Sequence, residues 1–264
     1  MDEFIKTGNP RITVENLTMA YGTSVIQKNL DFEINQGDIF IIMGGSGCGK
    51  STLLRHLVGL HRPSMGRVIY RDPGFPGPVS FWDAPMETRR ILMKNMGILY
   101  QSGALWSSMT LAENIALPLE QFTDLNARTI RELASLKLAL VGLAGFEDYY
   151  PSEISGGMKK RAGLARALAL DPDALFFDEP SAGLDPVSAR LLDDLILEIR
   201  ESLGATVVVV THELASIFAI GNNCVFLDPV TKTMIASGDP GHLLESSRDQ
   251  RVIDFLTRGE GRGS

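Results

Sequence analysis

The stretch Ile39-Phe40-Ile41-Ile42-Met43-Gly44-Gly45-Ser46-Gly47-Cys48-Gly49-Lys50-Ser51-Thr52 decides how the rest of this sequence is read. Its first five residues form a continuous apolar run, the pattern of a strand covered on both faces. Gly44 to Ser51 then fit GxxxxGK[ST], and Ser51 to Gly59 carries apolar residues at helical spacing. Strand, glycine loop and helix in that order are the context in which this motif holds phosphate. The glycines let backbone N–H groups curl around phosphate oxygens with no Cβ in the way. The helix that follows presents its positive end to the anion. Lys50 reads as the ammonium on the β- and γ-phosphates, and the Ser51 hydroxyl as a ligand for Mg²⁺. Cys48 reads as a tolerated small residue rather than a nucleophile, because no partner base is identifiable.

A second stretch gains meaning from the first. Ala174-Leu175-Phe176-Phe177 is another apolar run, and it ends in Asp178-Glu179. Two carboxylates at a strand end alone suit a solvated acidic turn. Downstream of a phosphate loop they predict a different chemistry: Asp178 holding Mg²⁺ through water, and Glu179 as general base for the water attacking the γ-phosphate.

Working outward, Arg11 to Ala20 and Asp31 to Ile34 read as strands, with Asn35-Gln36-Gly37-Asp38 a turn. Arg67 to Tyr70 and Met96 to Tyr100 read as further strands. Arg71 to Pro85, with Pro73, Pro76, Pro78 and Pro85, reads as a loop whose Phe75, Phe81 and Trp82 either pack it down or form a contact surface. Residues 102–170 turn helical, over Leu111 to Leu117, Ala127 to Val141 and Lys159 to Leu170. The strand Thr206 to Val210 follows the helix Ser188 to Leu203, and Val225 to Leu227 and Thr233 to Ala236 read as late strands. Strands alternating with helices predict an α/β core with a largely parallel sheet, and the helical block reads as an inserted subdomain.

Composition bounds the function. The chain has 264 residues, 44% hydrophobic and 22% charged, with a net charge of −7 and a pI near 5.2. At ~150 residues per domain this is one large domain or a core with a subdomain. The acidic balance disfavours nucleic acid as a partner. No apolar run approaches the ~18 residues of a membrane-spanning helix, and the acidic start MDEFIKTGNP does not read as a secretory signal. Two cysteines without CxxC spacing predict neither a disulfide framework nor a zinc knot. The four histidines, His56, His61, His212 and His242, show no ligand spacing. Composition alone thus predicts a reduced, soluble protein of the cytosol.

Five further features complete an order of motifs. Ile154-Ser155-Gly156-Gly157-Met158 resembles the signature of ABC-transporter ATPases, usually written LSGGQ, and Ser181-Ala182-Gly183-Leu184-Asp185 resembles their D-loop. His212 stands where the family's switch histidine stands, and Gln101 matches the Q-loop. Tyr21 matches the aromatic that stacks on adenine. Other readings of these residues remain open: Tyr21 as a turn aromatic, Ser155 as an ordinary helix cap, and Lys159-Lys160-Arg161 as cations on a solvated helix face. The resemblance implies a P-loop NTPase of the ABC type, with a RecA-like core, an antiparallel β-subdomain and an inserted helical subdomain. It implies core segments of about 1–101 and 171–237, a helical subdomain of about 102–170, a C-terminal extension of about 238–256 and a flexible tail of 257–264. It also implies ATP and Mg²⁺ as ligands. Tyr21, Gly44, Gly45, Ser46, Gly47, Cys48, Gly49, Lys50, Ser51 and Thr52 would bind nucleotide from one copy. Ser155, Gly156, Gly157 and Asp185 would bind it from the other copy of a homodimer. Ser51, Gln101 and Asp178 would hold the metal, and Glu179, His212, Gln101 and Lys50 would serve hydrolysis.

Three segments resemble the lipid-transport branch of Mla/Mce-type systems: Gln101-Ser102-Gly103-Ala104-Leu105, the Met158 ending with its basic run, and Arg248 to Leu256. That resemblance implies a phospholipid-transport ATPase at the cytoplasmic face of a bacterial inner membrane. A separate MlaE-like permease, an MlaB-like STAS-domain protein and an Mce-domain protein would be its partners. The departures are Ile154 for leucine and the long Pro-rich loop. Two alternatives stand beside it: an ATPase for transport of small polar solutes, and a non-transport ABC protein, which the lack of a long heptad run disfavours. Val252, Ile253, Phe255 and Leu256 either cover the chain's own core or pack on a neighbouring ATPase subunit.

Overall fold

A computed structural model describes residues 9–257. The chain divides into two compact units, one running to Met93 and resuming at Thr206, the other spanning Lys94–Ala205. The expected flexible tail lies outside the described residues except for Thr257.

The first unit opens with β1 (Pro10–Tyr21) and β2 (Ser24–Asn35), an antiparallel pair closed by a tight turn at Gly22. Both are longer than the alternating pattern predicts. β3 (Ile39–Gly44) is buried at every position, as its unbroken apolar run requires, and α1 (Lys50–Leu57) follows the glycine loop. β4 (Met65–Tyr70) pairs with β1, and β5 (Val79–Ser80) pairs with β4, giving an antiparallel sheet in the order β2-β1-β4-β5. The Pro-rich segment is thus a loop that ends as a short edge strand. Phe81 anchors it: its ring is buried against Tyr70 (5.9 Å between centroids) and Trp82 (5.3 Å), so these aromatics pack the loop down. The helix α2 (Met86–Lys94), which begins right after Pro85, carries only one buried residue, Leu92.

In the second unit β6 (Met96–Leu99) pairs in parallel with β7 (Ala174–Asp178), and Leu99 stands opposite Phe177. Between them run α3 (Leu111–Phe122), α4 (Ala127–Leu140), a 3₁₀ turn at Pro151–Glu153, and α5 (Gly156–Ala167); α6 (Pro186–Leu203) comes after β7. A capping box explains the start of α3: the Glu113 N–H donates to Thr110 Oγ1 (3.3 Å), and Glu113 Oε2 accepts from the Thr110 N–H (2.7 Å). The buried Asn114 accepts from the Trp106 N–H (2.7 Å) and donates to the carbonyls of Trp106 and Met109 (3.1 Å each). One side chain therefore shapes the whole loop before α3.

The first unit resumes with β8 (Thr206–Val210), α7 (Leu214–Ile220), β9 (Asn223–Asp228), β10 (Thr233–Gly238), α8 (Pro240–Ser246) and α9 (Gln250–Leu256). β3 lies between β8 and β9, parallel to both, with Ile42 opposite Val210 and Gly44 opposite Leu227; β10 is antiparallel to β9. This register brings the C-terminal ends of three strands to one edge, where α/β sheets bind ligands.

The C-terminal segment covers its own unit. Val252 and Leu256 are buried, and Phe255 meets Phe226 of β9 edge to face at 5.1 Å. Arg251 donates to Asp228 Oδ2 (2.8 Å), which also accepts from the Thr231 N–H and hydroxyl (2.7 Å each). Burial pushes the Asp228 carboxyl up, but Thr231 and then Arg251 outweigh it and hold it below the ordinary carboxylate range. A carboxyl depressed in the folded state stabilises above its unfolded pKa of about 4, and the contribution fades as pH falls through the folded value. Arg251→Ala is expected to loosen α9 locally with little change in the global unfolding midpoint. Acidification below about pH 4 is expected to reproduce that loosening in the parent. NMR signal intensities of residues 250–257 across a pH series check both.

Candidate functional site

The phosphate loop is shaped by close backbone approaches. Gly44 sits at φ 144°, and a Cβ there would stand 2.3 Å from the Leu227 carbonyl oxygen and 2.9 Å from Cys48 Sγ. Gly49, at φ 100°, is the residue before α1, and a Cβ on it would meet Ile26 Cγ2 at 2.7 Å. No L side chain fits either position, so the glycines are required by geometry. No side chain caps α1, and its first turn holds no acidic residue, so the positive end of the helix faces the loop uncompensated. Lys50 Nζ lies over the loop, donating to the carbonyls of Gly44 (3.0 Å) and Gly45 (3.1 Å). Cys48 is buried, and burial raises its thiol pKa, which keeps it a protonated filler.

Gln27 supports the loop from below, and nothing in its sequence context signalled that role. Its side chain, wholly buried on β2, donates through Nε2 to Cys48 O (2.7 Å) and Asp228 O (3.1 Å). It therefore ties the loop to the end of β9. A lone glutamine in a strand carries no motif; only the tertiary fold shows what it reaches.

Two more predicted residues belong to this unit. Tyr21 ends β1 half exposed, and His61 meets it edge to face at 5.9 Å, so one face of the ring stays open for stacking. His56, 5.8 Å from His61, is buried; burial lowers its pKa, and Nδ1 lies 2.8 Å from Thr52 O. His212 follows β8, at the sheet edge from which the phosphate loop springs, with Nε2 3.7 Å from Glu213 Oε1.

The second unit holds the remaining predicted residues. Asp178 is the last residue of β7. Glu179, next, has φ 49°, a left-handed backbone that a non-glycine residue adopts at a cost of about 1–3 kcal/mol and that is often found at active sites. Its carbonyl accepts from the Ala182 N–H (3.2 Å) and from Lys160 Nζ (3.2 Å). Gln101 is exposed, and its carbonyl also accepts from Lys160 Nζ. Ser155 is the cap of α5, accepting from the Met158 N–H (3.3 Å), with Gly156 and Gly157 in the first turn. Asp185 caps α6, accepting from the Val187 and Ser188 N–H groups (3.0 Å each) and the Ser188 hydroxyl (2.6 Å). The Ser188 bonds, side chain first, hold its carboxyl below the ordinary range. Both residues thus organise their own helices.

The basic run after the signature needs a correction. Lys159-Lys160-Arg161 is not a uniformly solvated face, because Lys160 is 6% exposed. Burial holds its pKa below the ordinary lysine value, and the charges of Glu179 and Asp178 offset that only in part. Arg161 donates to the carbonyls of Val141 (2.9 Å) and Gly142 (3.1 Å).

The donors suit the ligands. Oxygen groups (the Ser51 hydroxyl, the Gln101 amide and the Asp178 carboxylate) are the hard donors that Mg²⁺ prefers. Among the described residues no group of three or more His, Cys, Asp or Glu forms a metal site by itself.

Residues 27–182 match the sequence model of the ABC transporter family. The chain is 38% identical over 254 residues to the intermembrane phospholipid transport system ATP-binding protein MlaF of Haemophilus influenzae, covering 96% of this chain and 92% of that one. It is 36% identical to the Escherichia coli K12 protein of the same name, over 93% and 88% of the two chains. It is also 38% identical to the probable ribonucleotide transport ATP-binding protein mkl of Mycobacterium tuberculosis, over 93% and 66%. Among solved structures, an ATP-binding cassette dimer in a post-hydrolysis state with ADP and Pi aligns at TM-score 0.76 and 28% identity, over 86% of this chain and 98% of that one. The cbiO1 protein of Clostridium perfringens, part of the ABC transporter complex cbiONQ, aligns at 0.79 and 26%, over 95% and 97%.

Gln27→Met keeps the side chain's bulk but leaves two buried carbonyls without their donor, at about 1–3 kcal/mol each. The variant is expected to unfold at lower denaturant concentration and to bind ATP more weakly; equilibrium unfolding and nucleotide titration measure the two effects.

Proposed function

The chain belongs to the ABC transporter family, and from that premise we propose that it is the ATP-hydrolysing subunit of a transporter that moves phospholipids between membranes. The observation that carries this reading is its similarity to two MlaF proteins over nearly its whole length. Lys50 and the loop Gly44 to Thr52 hold the triphosphate, with the N–H groups and α1 supplying the positive field. Tyr21 stacks on adenine. Glu179 takes the proton of the attacking water, and His212 steadies the γ-phosphate. Ser51, Gln101 and Asp178 hold Mg²⁺, which when bound neutralises phosphate charge.

Two copies act as a dimer, each offering Ser155, Gly156, Gly157 and Asp185 to the nucleotide of the other; the dimeric cassette with ADP and Pi supports this. Residues 102–170 form the helical subdomain that meets the membrane partner. No helix among the described residues is long and apolar enough to cross a membrane. The membrane-spanning partner in this reading is an MlaE-like permease. An MlaB-like STAS-domain protein and an Mce-domain protein complete the assembly, and this chain sits at the cytoplasmic face of the inner membrane. The mkl relative favours a second reading, transport of a polar solute.

Glu179→Gln is expected to bind MgATP as the parent does and to lose about 10²–10⁴-fold in turnover, because only the base is removed. Hydrolysis at the parental rate would remove Glu179 from that role. Lys50→Ala is expected to weaken nucleotide affinity, turnover or both, as read by titration and steady-state kinetics. The tagged chain isolated from its native membrane is expected to bring down a permease with an Mce-type protein and phospholipid. Recovery with a soluble solute-binding protein instead would transfer it to the second reading.

A further inference from the structure

We infer that Lys160 is a positioning residue for hydrolysis, a clamp that holds the backbone of the Q-loop and the backbone of the proposed base in fixed relation. The inference rests on the reading of Glu179 as general base.

The observations all lie within the second unit. Lys160 stands on the first turns of α5, just past Ser155-Gly156-Gly157, with its side chain directed inward and its ammonium on two carbonyl oxygens, those of Gln101 and Glu179. Those two residues are 78 positions apart in the chain (179 less 101). One cation thus bridges the residue proposed to touch the metal and the residue proposed to take the proton. The rest of that helix face holds the same loop. A Cβ on Gly163 would stand 2.8 Å from Leu99 Cδ1 and 3.0 Å from the Gly103 carbonyl, so the helix lies against the loop with no room for a side chain. Arg166 donates to the carbonyls of Ala104 (2.6 Å) and Gly103 (3.3 Å). Positions 160, 163 and 166–167 fall on one side of a helix, and Gly97 closes the contact, since a Cβ there would meet the Ala167 carbonyl at 2.3 Å.

Why a buried lysine stands here follows from the backbone it meets. Gly103, Ala104 and Glu179 all have positive φ, at 74°, 51° and 49°. For the two non-glycine residues such a conformation persists only where the surroundings over-determine it. Charge-assisted hydrogen bonds to the carbonyls at these turns supply that determination. An apolar residue at position 160 would fill the space but leave both carbonyls without this donor. The left-handed turn that aims Glu179 would then be free to relax, and a base displaced by about 1 Å loses on the order of 10²-fold in rate. Lys160 acts through Glu179 and Gln101 and touches no reacting atom in this scheme.

The test uses the full chain in its transporter complex, with kcat and KM for ATP, ATP affinity and unfolding midpoint measured together. Lys160→Met is expected to lower kcat about 10–100-fold while KM and affinity stay within about twofold. Lys160→Arg, which still spans both carbonyls, is expected to restore kcat to within about threefold, and the shorter Lys160→Gln only part of the way. In a Glu179→Gln background, adding Lys160→Met is expected to lower the residual rate less than twofold, because the two act as one unit. Parental kcat in Lys160→Met, or the same fold-loss in both backgrounds, overturns the clamp. If the methionine variant does not fold, the other two decide: parental kcat in both overturns the clamp, and a loss in Gln with recovery in Arg supports it. Parental turnover in Glu179→Gln alone would sink the base assignment and leave the Lys160 comparison standing.

Discussion

The close approach of Gly44 to the carbonyl of Leu227 sets the terms for the phosphate loop. β3 is held between two parallel neighbours, so its path is not negotiable, and at its last residue the backbone of β9 stands where a Cβ would be. The chain can leave the sheet there only in a conformation open to glycine. From that exit the loop turns back above the sheet edge, Gln27 holds it from below, and α1 begins without a side-chain cap. The turn that the sheet forces brings the glycine loop to the uncapped start of α1, an arrangement that suits an anion.

A second regularity is the use of buried or half-buried cations as braces for loops. Lys160, Arg161 and Arg166 on α5 donate to carbonyls of three different turns, and Arg251 does a related service for the Asp228 corner. Loops cannot satisfy their own carbonyls as helices and strands do, and an unmet buried carbonyl costs about 1–3 kcal/mol. A long cation whose aliphatic stem packs and whose head donates several bonds meets that need. Lysine and arginine in this helix therefore read differently in sequence and in space. Their charge suggests solvent, but their reach carries them to buried acceptors.

The parts legible in the sequence were those in which local chemistry is self-sufficient. β3 and β7 announced themselves through unbroken apolar runs, and the phosphate loop through glycines whose spacing is dictated by the turn. The helix α3 was legible from its apolar spacing, and the structure adds the Thr110–Glu113 box that fixes its start. Where local signals were weak, the reading was partial. β1 and β2 run longer than their alternation shows, because pairing across the sheet stabilises end residues that propensity would leave out. The helix α2, only nine residues long and with a single buried residue, is not among the elements read from the sequence. For the Pro-rich loop and the C-terminal segment, two fates were equally consistent with the residues. Tertiary packing chose burial of Phe81 against Tyr70, and of Val252 and Leu256 within the chain's own unit.

By itself the sequence determined the fold class, the order of the nucleotide motifs and the residue types that chemistry demands at them. These follow from short-range constraints: glycine where backbones crowd, carboxylates where a strand ends, a lysine at the first position of a helix. Only the tertiary structure decided that Gln27 reaches the phosphate loop, that Asp185 and Ser155 cap their own helices, and that Lys160 turns inward to the carbonyls of Gln101 and Glu179. Each of those depends on a partner far along the chain or on which way one side chain points. A linear sequence records identities and spacings. It does not record which buried carbonyl lacks a donor, and that lack is what gives a glutamine or a lysine its task.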